Sequence, residues 1–351
     1  MIRVAIADDS PFTCNLLASY IEAGGECKVV GMAHDAPTTL NLIRDASPDV
    51  LTLDLQMPGT DGLELLRQLG EERAVNVVVI SGVTRLAAAT TLRALELGAV
   101  DFILKYTPGA PVSRASLRRE IISKVKIAAS AKPAAREHHT PPLPASAAAS
   151  ATVAKTAARS TPSDLGEIVV IGASTGGPKA ISDVLAQLPS DFSLPCVVVQ
   201  HLPADFTEAF ATQLTRHTRL QIKVAESGDR PEAGVILVAP GSMHLTFKPD
   251  GRVHLQKPAA ADIYRPSISA AMSSAADTYG ASTIGVLLTG AGDDGADGLR
   301  TIGEVGGEVY VQDPQSCVVA SMPERAIERA GADHVASPER IGQFLAVRKS
   351  S

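Results

Sequence analysis

The chain has no dense run of lysine and arginine, and its 351 residues carry a formal net charge of -6. Binding that depends on phosphate neutralisation needs a concentrated positive surface, so nucleic acid is not an expected partner. Cysteine is scarce: Cys14, Cys27, Cys196 and Cys317 stand far apart, with no C-x-x-C pair and no histidines at metal-ligand spacing. This argues against a disulfide framework and a zinc site, and the thiols read as buried or incidental. No apolar stretch is long enough to span a bilayer, and Met1 leads into a strand-like run without the cationic and apolar segments of a signal peptide. Membrane insertion is therefore not expected, and a soluble, cytoplasmic protein is. Tryptophan is absent while alanine, valine, leucine and glycine dominate, as in ordinary globular α/β proteins, and the length suits about two domains.

A composition change divides the chain. Between about Ala128 and Asp164, alanine, serine, threonine and proline take over, and Pro133, Pro141, Pro142, Pro144 and Pro162 would interrupt any long helix. The expectation is a domain over 1–128, a flexible tether over 129–164 and a second domain over 165–348. His138 and His139 lie in the tether and read as solvated side chains rather than metal ligands.

Ahead of the tether, β-rich runs at Ile2 to Ala7, Val29 to Ala33, Val50 to Leu53, Val77 to Ile80 and Val100 to Ile103 alternate with helix-like stretches. Such alternation predicts a doubly wound parallel sheet whose functional residues collect at the carboxyl ends of the strands. Asp8, Asp9, Asp54, Ser81 and Lys105 all fall at such ends. Three crowded carboxylates repel one another, and Mg²⁺ is the simplest remedy because it takes oxygen ligands and can also coordinate a phosphoryl group. Asp54 would then act as a nucleophile toward phosphorus, with Lys105 neutralising one phosphoryl oxygen and Ser81 donating a hydrogen bond to another.

The second half carries Gly172-Ala173-Ser174-Thr175-Gly176-Gly177 between an apolar run, Glu167 to Ile171, and a stretch of helical periodicity opened by Pro178. A strand, tight turn and helix start can hold a serine hydroxyl clear of the backbone. His201 follows the apolar run Val197 to Val199 and Gln200, and Asp294 lies in Gly290-Ala291-Gly292-Asp293-Asp294-Gly295 after the run Thr283 to Leu288. These placements predict a nucleophile (Ser174), a general base and acid (His201) and an orienting carboxylate (Asp294), with Asp293 competing for the last role. Backbone N–H groups among the flanking glycines would bind the oxyanion. Chain order serine, histidine, aspartate disfavours the common α/β-hydrolase fold, and neither a Walker loop nor G-x-G-x-x-G is present. His244 and His254, in a hairpin-like region from Val235 to Leu255, read as surface strand residues rather than rival bases.

The first segment resembles the receiver domain of bacterial response regulators, including Asp54-Leu55-Gln56-Met57-Pro58-Gly59 through Asp61-Gly62. The resemblance implies a flavodoxin-like fold, Mg²⁺ for phosphorylation, phosphotransfer from a histidine kinase, and Phe102 as the aromatic switch residue. Tyr106 departs from the family, which has proline after the lysine, and Pro108 comes two residues later.

The whole chain resembles the chemotaxis response regulators that are protein-glutamate methylesterases and protein-glutamine deamidases. Gln200-His201-Leu202-Pro203, Ala239-Pro240-Gly241-Ser242 with His244, Arg265-Pro266-Ser267 and Leu288-Thr289-Gly290 leading to Asp294-Gly295 carry that resemblance. It implies a Rossmann-like serine hydrolase domain that needs no cofactor. Its substrates would be glutamate γ-methyl esters and certain glutamines on methyl-accepting chemoreceptors, cleaved through an acyl-serine. It also favours Asp294 over Asp293, gives the Ala291 N–H a place in the oxyanion hole where methionine is common, and lets Thr175 help shape that site. Ser269 stands where an acidic or amide residue is usual, and Ser321 replaces glycine before Met322-Pro323. Arg265 would cap a helix or meet an acidic receptor surface. The unphosphorylated receiver would pack over the serine, and phosphorylation of Asp54 would weaken that docking. A phosphorylation-gated binding module with an inert serine is the competing reading; a DNA-binding regulator would need a basic recognition helix, and none is found.

Overall fold

Short runs of β-branched residues build two all-parallel sheets in the computed structural model of the chain, which describes residues 1–57, 59, 61–72, 75–82, 84–105, 114–131 and 165–348. Tyr106, Pro108, His138 and His139 lie outside the described residues.

The first half alternates β1 (Ile2–Ala7), α1 (Pro11–Glu22), β2 (Cys27–Ala33), α2 (Ala36–Ala46), β3 (Val50–Asp54), α3 (Gly62–Glu72), β4 (Asn76–Ser81), α4 (Arg85–Glu96), β5 (Asp101–Leu104) and α5 (Arg114–Ser130). Strand order is β2-β1-β3-β4-β5. Every residue of β3 is buried, because helices cover both faces of a parallel sheet and select continuous apolar runs. Ser10, Asp35 and Thr84 cap α1, α2 and α4 by accepting from backbone N–H groups of the first turn. Strand order reverses between β1 and β3, which opens a crevice at the ends carrying Asp8 and Asp54. Helix α5 runs to Ser130, so the expected start of the tether at 129 falls in its last turn.

The second half contains β6 (Ile168–Ala173), α6 (Gly177–Leu185), β7 (Cys196–Gln200), a 3-10 turn (Ala204–Phe206), α7 (Thr207–Leu214), β8 (Gln221–Val224), β9 (Val235–Val238), β10 (His244–Phe247) and β11 (Val253–Gln256). It continues with α8 (Ile268–Tyr279), β12 (Thr283–Leu287), α9 (Ala296–Glu304), β13 (Glu308–Gln312), α10 (Ser321–Ala330), β14 (His334–Ala336) and α11 (Pro338–Ala346). Strand order is β14-β13-β12-β6-β7-β9-β8. The hairpin expected from Val235 onward is smaller: β9 joins the main sheet beside β7 and β8, and only β10 and β11 pair antiparallel. Here the crevice opens between β6 and β12, at the ends leading to Ser174 and Asp294.

The two sheets share a buried boundary. Phe102 of β5 stacks on Phe206 with ring centroids 4.6 Å apart and planes inclined by 13°. At the same boundary, Glu96 of α4 pairs with His217 at 2.7 Å and the Leu92 carbonyl accepts from Gln213 Nε2 at 3.5 Å. All four cysteines are buried, and burial pushes the Cys196 thiol up to about 12. Among the described residues no helix is long and apolar enough to cross a membrane.

Candidate active site and phosphorylation site

Ser174 occupies the turn that ends β6. Gly176 takes φ +77, and a Cβ there would meet Val318 Cβ at 2.7 Å, so the turn needs glycine on both conformational and steric grounds. Thr289 O accepts from Ser174 N at 3.0 Å, and the Thr289 hydroxyl reaches the Thr175 carbonyl at 3.1 Å, which ties the turn to the end of β12. Gly290 permits that approach, since a Cβ on it would lie 2.7 Å from Ser174 Cβ.

His201 comes to the same edge because β6 and β7 are parallel neighbours with Ala173 paired to Gln200. Its Nδ1 lies 3.0 Å from Ser174 Oγ and its Nε2 lies 2.9 Å from Asp294 Oδ2. The partners set the tautomer: the carboxylate accepts only, so Nε2 carries the proton and Nδ1 offers its lone pair to the serine hydroxyl. The ring is thus used in the opposite sense to the serine-protease arrangement, where Nε2 faces the nucleophile. Gln200 Nε2 donates to the Ser174 carbonyl at 2.9 Å and the His201 carbonyl at 3.2 Å, fastening both backbones.

Asp294 is buried at the N-terminus of α8. It accepts from Ile268 N at 2.7 Å, Ser269 N at 2.9 Å, Gly295 N at 3.0 Å and the Ser267 hydroxyl at 3.2 Å. Burial is the largest influence and opposes ionisation. Contact with His201 and donation from Ser269 and Ile268 outweigh it and hold the carboxyl below its ordinary range. Asp293 points elsewhere, to the Tyr264 hydroxyl at 3.1 Å and Arg329 at 2.9 Å.

Tyr264 lies over the imidazole, its ring 5.2 Å from that of His201 and nearly parallel at 11°. The loop that carries it is held by Arg265, whose guanidinium donates to the carbonyls of Asp262, Ala259 and Ala260. His244 is buried rather than on the surface: it bonds Asp262 at 2.9 Å and accepts from Ser267 N at 3.0 Å, so it braces this loop. His254 gives its backbone carbonyl to Thr246 within the small hairpin. Ser174, Thr175, His201, Tyr264 and Ala291 line one cavity of about 1120 Å³.

At the other crevice, ligand atoms of Asp8, Asp9 and Asp54 lie within 4.8 Å of one another. Lys105 Nζ is 2.6 Å from Asp54 Oδ2 and 2.9 Å from Asp8 Oδ2. Burial works against the ammonium, but the two carboxylates overcome it and raise the lysine above its ordinary range. Despite that ion pair, buried Asp8 Oδ2 has no well-formed hydrogen bond, so the donor set fits a hard cation with oxygen ligands. Ser81 shares a small cavity with Asp54, and its hydroxyl donates to Gly82 O at 3.0 Å and accepts from Thr91 of α4 at 2.6 Å.

Comparison with known proteins places this geometry. The family described as CheB methylesterase matches residues 169–345, and the response regulator receiver domain family matches residues 4–119. The chain belongs to the CheB methylesterase family. It is 40% identical over 340 residues to protein-glutamate methylesterase/protein-glutamine glutaminase 2 of Shewanella sp. (strain MR-7), covering 95% of this chain and 94% of that protein. The protein of the same description from Pseudomonas aeruginosa is 39% identical over 347 residues, with 98% and 96% covered. Among solved structures, the Thermotoga maritima CheB methylesterase catalytic domain aligns with TM-score 0.50 and 39% identity over 52% of this chain and 97% of that one.

Ser269 and Ser321, which the resemblance marks as departures, have local partners. Ser269 accepts from Gly295 N at 2.7 Å through its hydroxyl, the service an acidic or amide oxygen would give. Ser321 accepts from Gly292 N and donates to Gly290 O, both at 3.2 Å, bracing the loop before Asp294. Tyr264 and Asp101 carry no signal in the sequence that marks them as functional. Tyr264 sits in an irregular loop with no periodicity to expose it, although it directly precedes the Arg265-Pro266-Ser267 motif. Asp101, at the start of β5, accepts a 2.7 Å hydrogen bond from the Thr175 hydroxyl in the other half of the chain.

Proposed function

We propose that the chain hydrolyses glutamate γ-methyl esters on the cytoplasmic helices of methyl-accepting chemoreceptors, deamidates certain of their glutamines, and does so under the control of Asp54 phosphorylation in the cytoplasm. The observation that carries this reading is the Ser174–His201–Asp294 relay, at 3.0 and 2.9 Å, inside a chain related over nearly its full length to protein-glutamate methylesterases.

Attack of Ser174 Oγ on the ester carbonyl passes the hydroxyl proton to His201 Nδ1, while Asp294 keeps Nε2–H and stabilises the imidazolium. Thr175 and Ala291 line the same cavity, and their backbone N–H groups are the donors assigned to the oxyanion. Collapse releases methanol, or ammonia from a glutamine, with the proton returned by His201. Water activated by the same ring then frees the carboxylate and regenerates the serine.

Control comes from the receiver half, which belongs over 1–128. Asp8, Asp9 and Asp54 would hold Mg²⁺, whose positive charge would offset the carboxylates and a phosphoryl group received from a histidine kinase. Lys105 and Ser81 then bind phosphoryl oxygens. Drawing Ser81 toward a phosphoryl group competes with its bond to Thr91 of α4, and α4 carries the contacts to Gln213 and His217. The test is methanol release from methylated receptor fragments. Release that requires Ser174 supports the reading, and release that survives Ser174→Ala contradicts it.

A further inference from the structure

Gln200 is buried at the last position of β7, directly before His201. Its amide nitrogen donates to two main-chain carbonyls of the relay, that of Ser174 at 2.9 Å and that of His201 at 3.2 Å. The opposite amide orientation would turn Oε1 toward two carbonyl oxygens, so the partners settle which way the group faces. Among the described residues, buried Oε1 meets no hydrogen-bond donor. It lies against Gly177, where an added Cβ would come within 2.0 Å of it, so the second glycine of the serine turn makes room for this side chain. A buried acceptor without a donor costs stability, and methionine would fill the same space without that cost. What glutamine supplies here is its pair of N–H donors.

The Ser174 carbonyl and the Thr175 N–H belong to one planar trans peptide, in which the two groups point in opposite directions. That carbonyl accepts from Gln200 Nε2 and also from Gly177 N at 2.8 Å. Two donors hold the peptide plane more firmly than the turn bond alone, and holding the carbonyl holds the N–H behind it. Among the described residues, neither the Thr175 N–H nor the Ala291 N–H meets an acceptor, although both residues line the cavity at Ser174. Fixed, unspent donors are what an oxyanion requires, because a donor that must reorient during the reaction stabilises the developing charge less. We infer that Gln200 is a positioning residue for the oxyanion: through the Ser174 carbonyl it aims the Thr175 N–H at the charge that develops when Ser174 attacks. The inference rests on the hydrolase reading of Ser174 given above and gives a further residue a task in it.

The experiment uses the intact chain with Mg²⁺ and a small phosphodonor. It compares the parent with Gln200→Met, which keeps the volume and removes both donors, and with Gln200→Asn, which withdraws the amide by one methylene. One readout is methanol release from a methylated receptor fragment. The other is the rate at which a fluorophosphonate labels Ser174, followed by mass with Ser174→Ala as the blank. In that step Ser174 Oγ bonds to phosphorus, fluoride leaves and His201 takes the proton, so charge develops on the phosphoryl oxygen without a receptor. Loss of a whole oxyanion donor costs about 10²–10³ in kcat. With Gly177 N still holding the carbonyl, both variants should lose about tenfold to a hundredfold in kcat and in labelling rate, with KM and the pH of half-maximal rate unchanged. A general loosening of the site would raise KM as well, and displacement of His201 through its carbonyl would move the pH profile. Either pattern would overturn the inference, as would variants within about twofold of the parent. Slowed labelling with no methanol release from any form would leave the role of Gln200 standing and remove the receptor reading instead. A parent that does not label at Ser174 would remove the nucleophile, and the inference with it.

Discussion

The Thr175 hydroxyl donates to Asp101 Oδ2 at 2.7 Å, joining the residue after Ser174 to the first residue of β5 across 74 positions of sequence. One residue along, Phe102 stacks on Phe206, and Lys124 of α5 lies 4.7 Å above the Phe102 ring and 3.3 Å from Asp101 Oδ1. The strand that leads into Lys105 thus begins at the turn carrying Ser174.

Loosening that boundary should activate the unphosphorylated chain. A hydrogen bond to a charged group contributes about 1.5–3 kcal/mol, so Asp101→Ala should shift the docking equilibrium by about one to two powers of ten. Methanol release from a methylated receptor fragment without phosphodonor should rise accordingly. An unchanged rate would show that this contact does not hold the receiver in place.

Removing Mg²⁺ with a chelator, or making Asp54→Ala, should abolish the rise in receptor demethylation caused by a small phosphodonor. A phosphodonor response that persists in Asp54→Ala would place the phosphorylation elsewhere.

Members of a catalytic relay act as a unit, so Ser174→Ala and His201→Ala should each lower ester hydrolysis by about three or more powers of ten. Asp294→Asn should be nearly as damaging, because an amide favours the wrong tautomer of His201. Asp293→Asn should cost far less, since Asp293 binds Tyr264 and Arg329 rather than the imidazole. Equal losses in the two aspartate variants would contradict the assignment.

Tyr264 should prove a positioning residue. Tyr264→Phe keeps the ring over His201 and should retain most activity. Tyr264→Ala removes it and should lower kcat by about tenfold with a smaller effect on KM, as expected when a loosened base weakens the transition state more than substrate binding.

Acid should expose the environment of Asp294. Its folded carboxyl titrates below the unfolded value of about 3.9, so the stability it contributes is complete above that value and is lost as pH falls through the lower folded value. Acid unfolding of the intact chain should therefore steepen below about pH 4, and Asp294→Asn should flatten that limb. Identical acid limbs would mean the carboxylate contributes no such linkage.

Much of this architecture was legible because parallel strands buried on both faces leave continuous apolar runs, and the residues just past the end of each run lie at the functional edge. Asp54, Ser81, Lys105, Ser174 and His201 could be placed in this way. Asp294 stands seven residues beyond the end of β12, in a loop, and its partner N–H groups belong to α8, so its burial at a helix N-terminus was not visible. His244 looked like a surface strand residue because alternation along a short hairpin cannot show that a later loop folds over it. The sequence of β9 fits a hairpin as well as it fits the main sheet, because apolar runs of similar length do not declare their pairing partner. Contacts between the halves, such as Phe102 with Phe206, leave no local pattern at all.

The most direct test is methanol release from methylated receptor cytoplasmic fragments by the intact chain and by Ser174→Ala, each with and without a small phosphodonor and Mg²⁺. The account predicts release that depends on Ser174 and rises on phosphorylation. No release in either state, or release that persists without the serine hydroxyl, would contradict it.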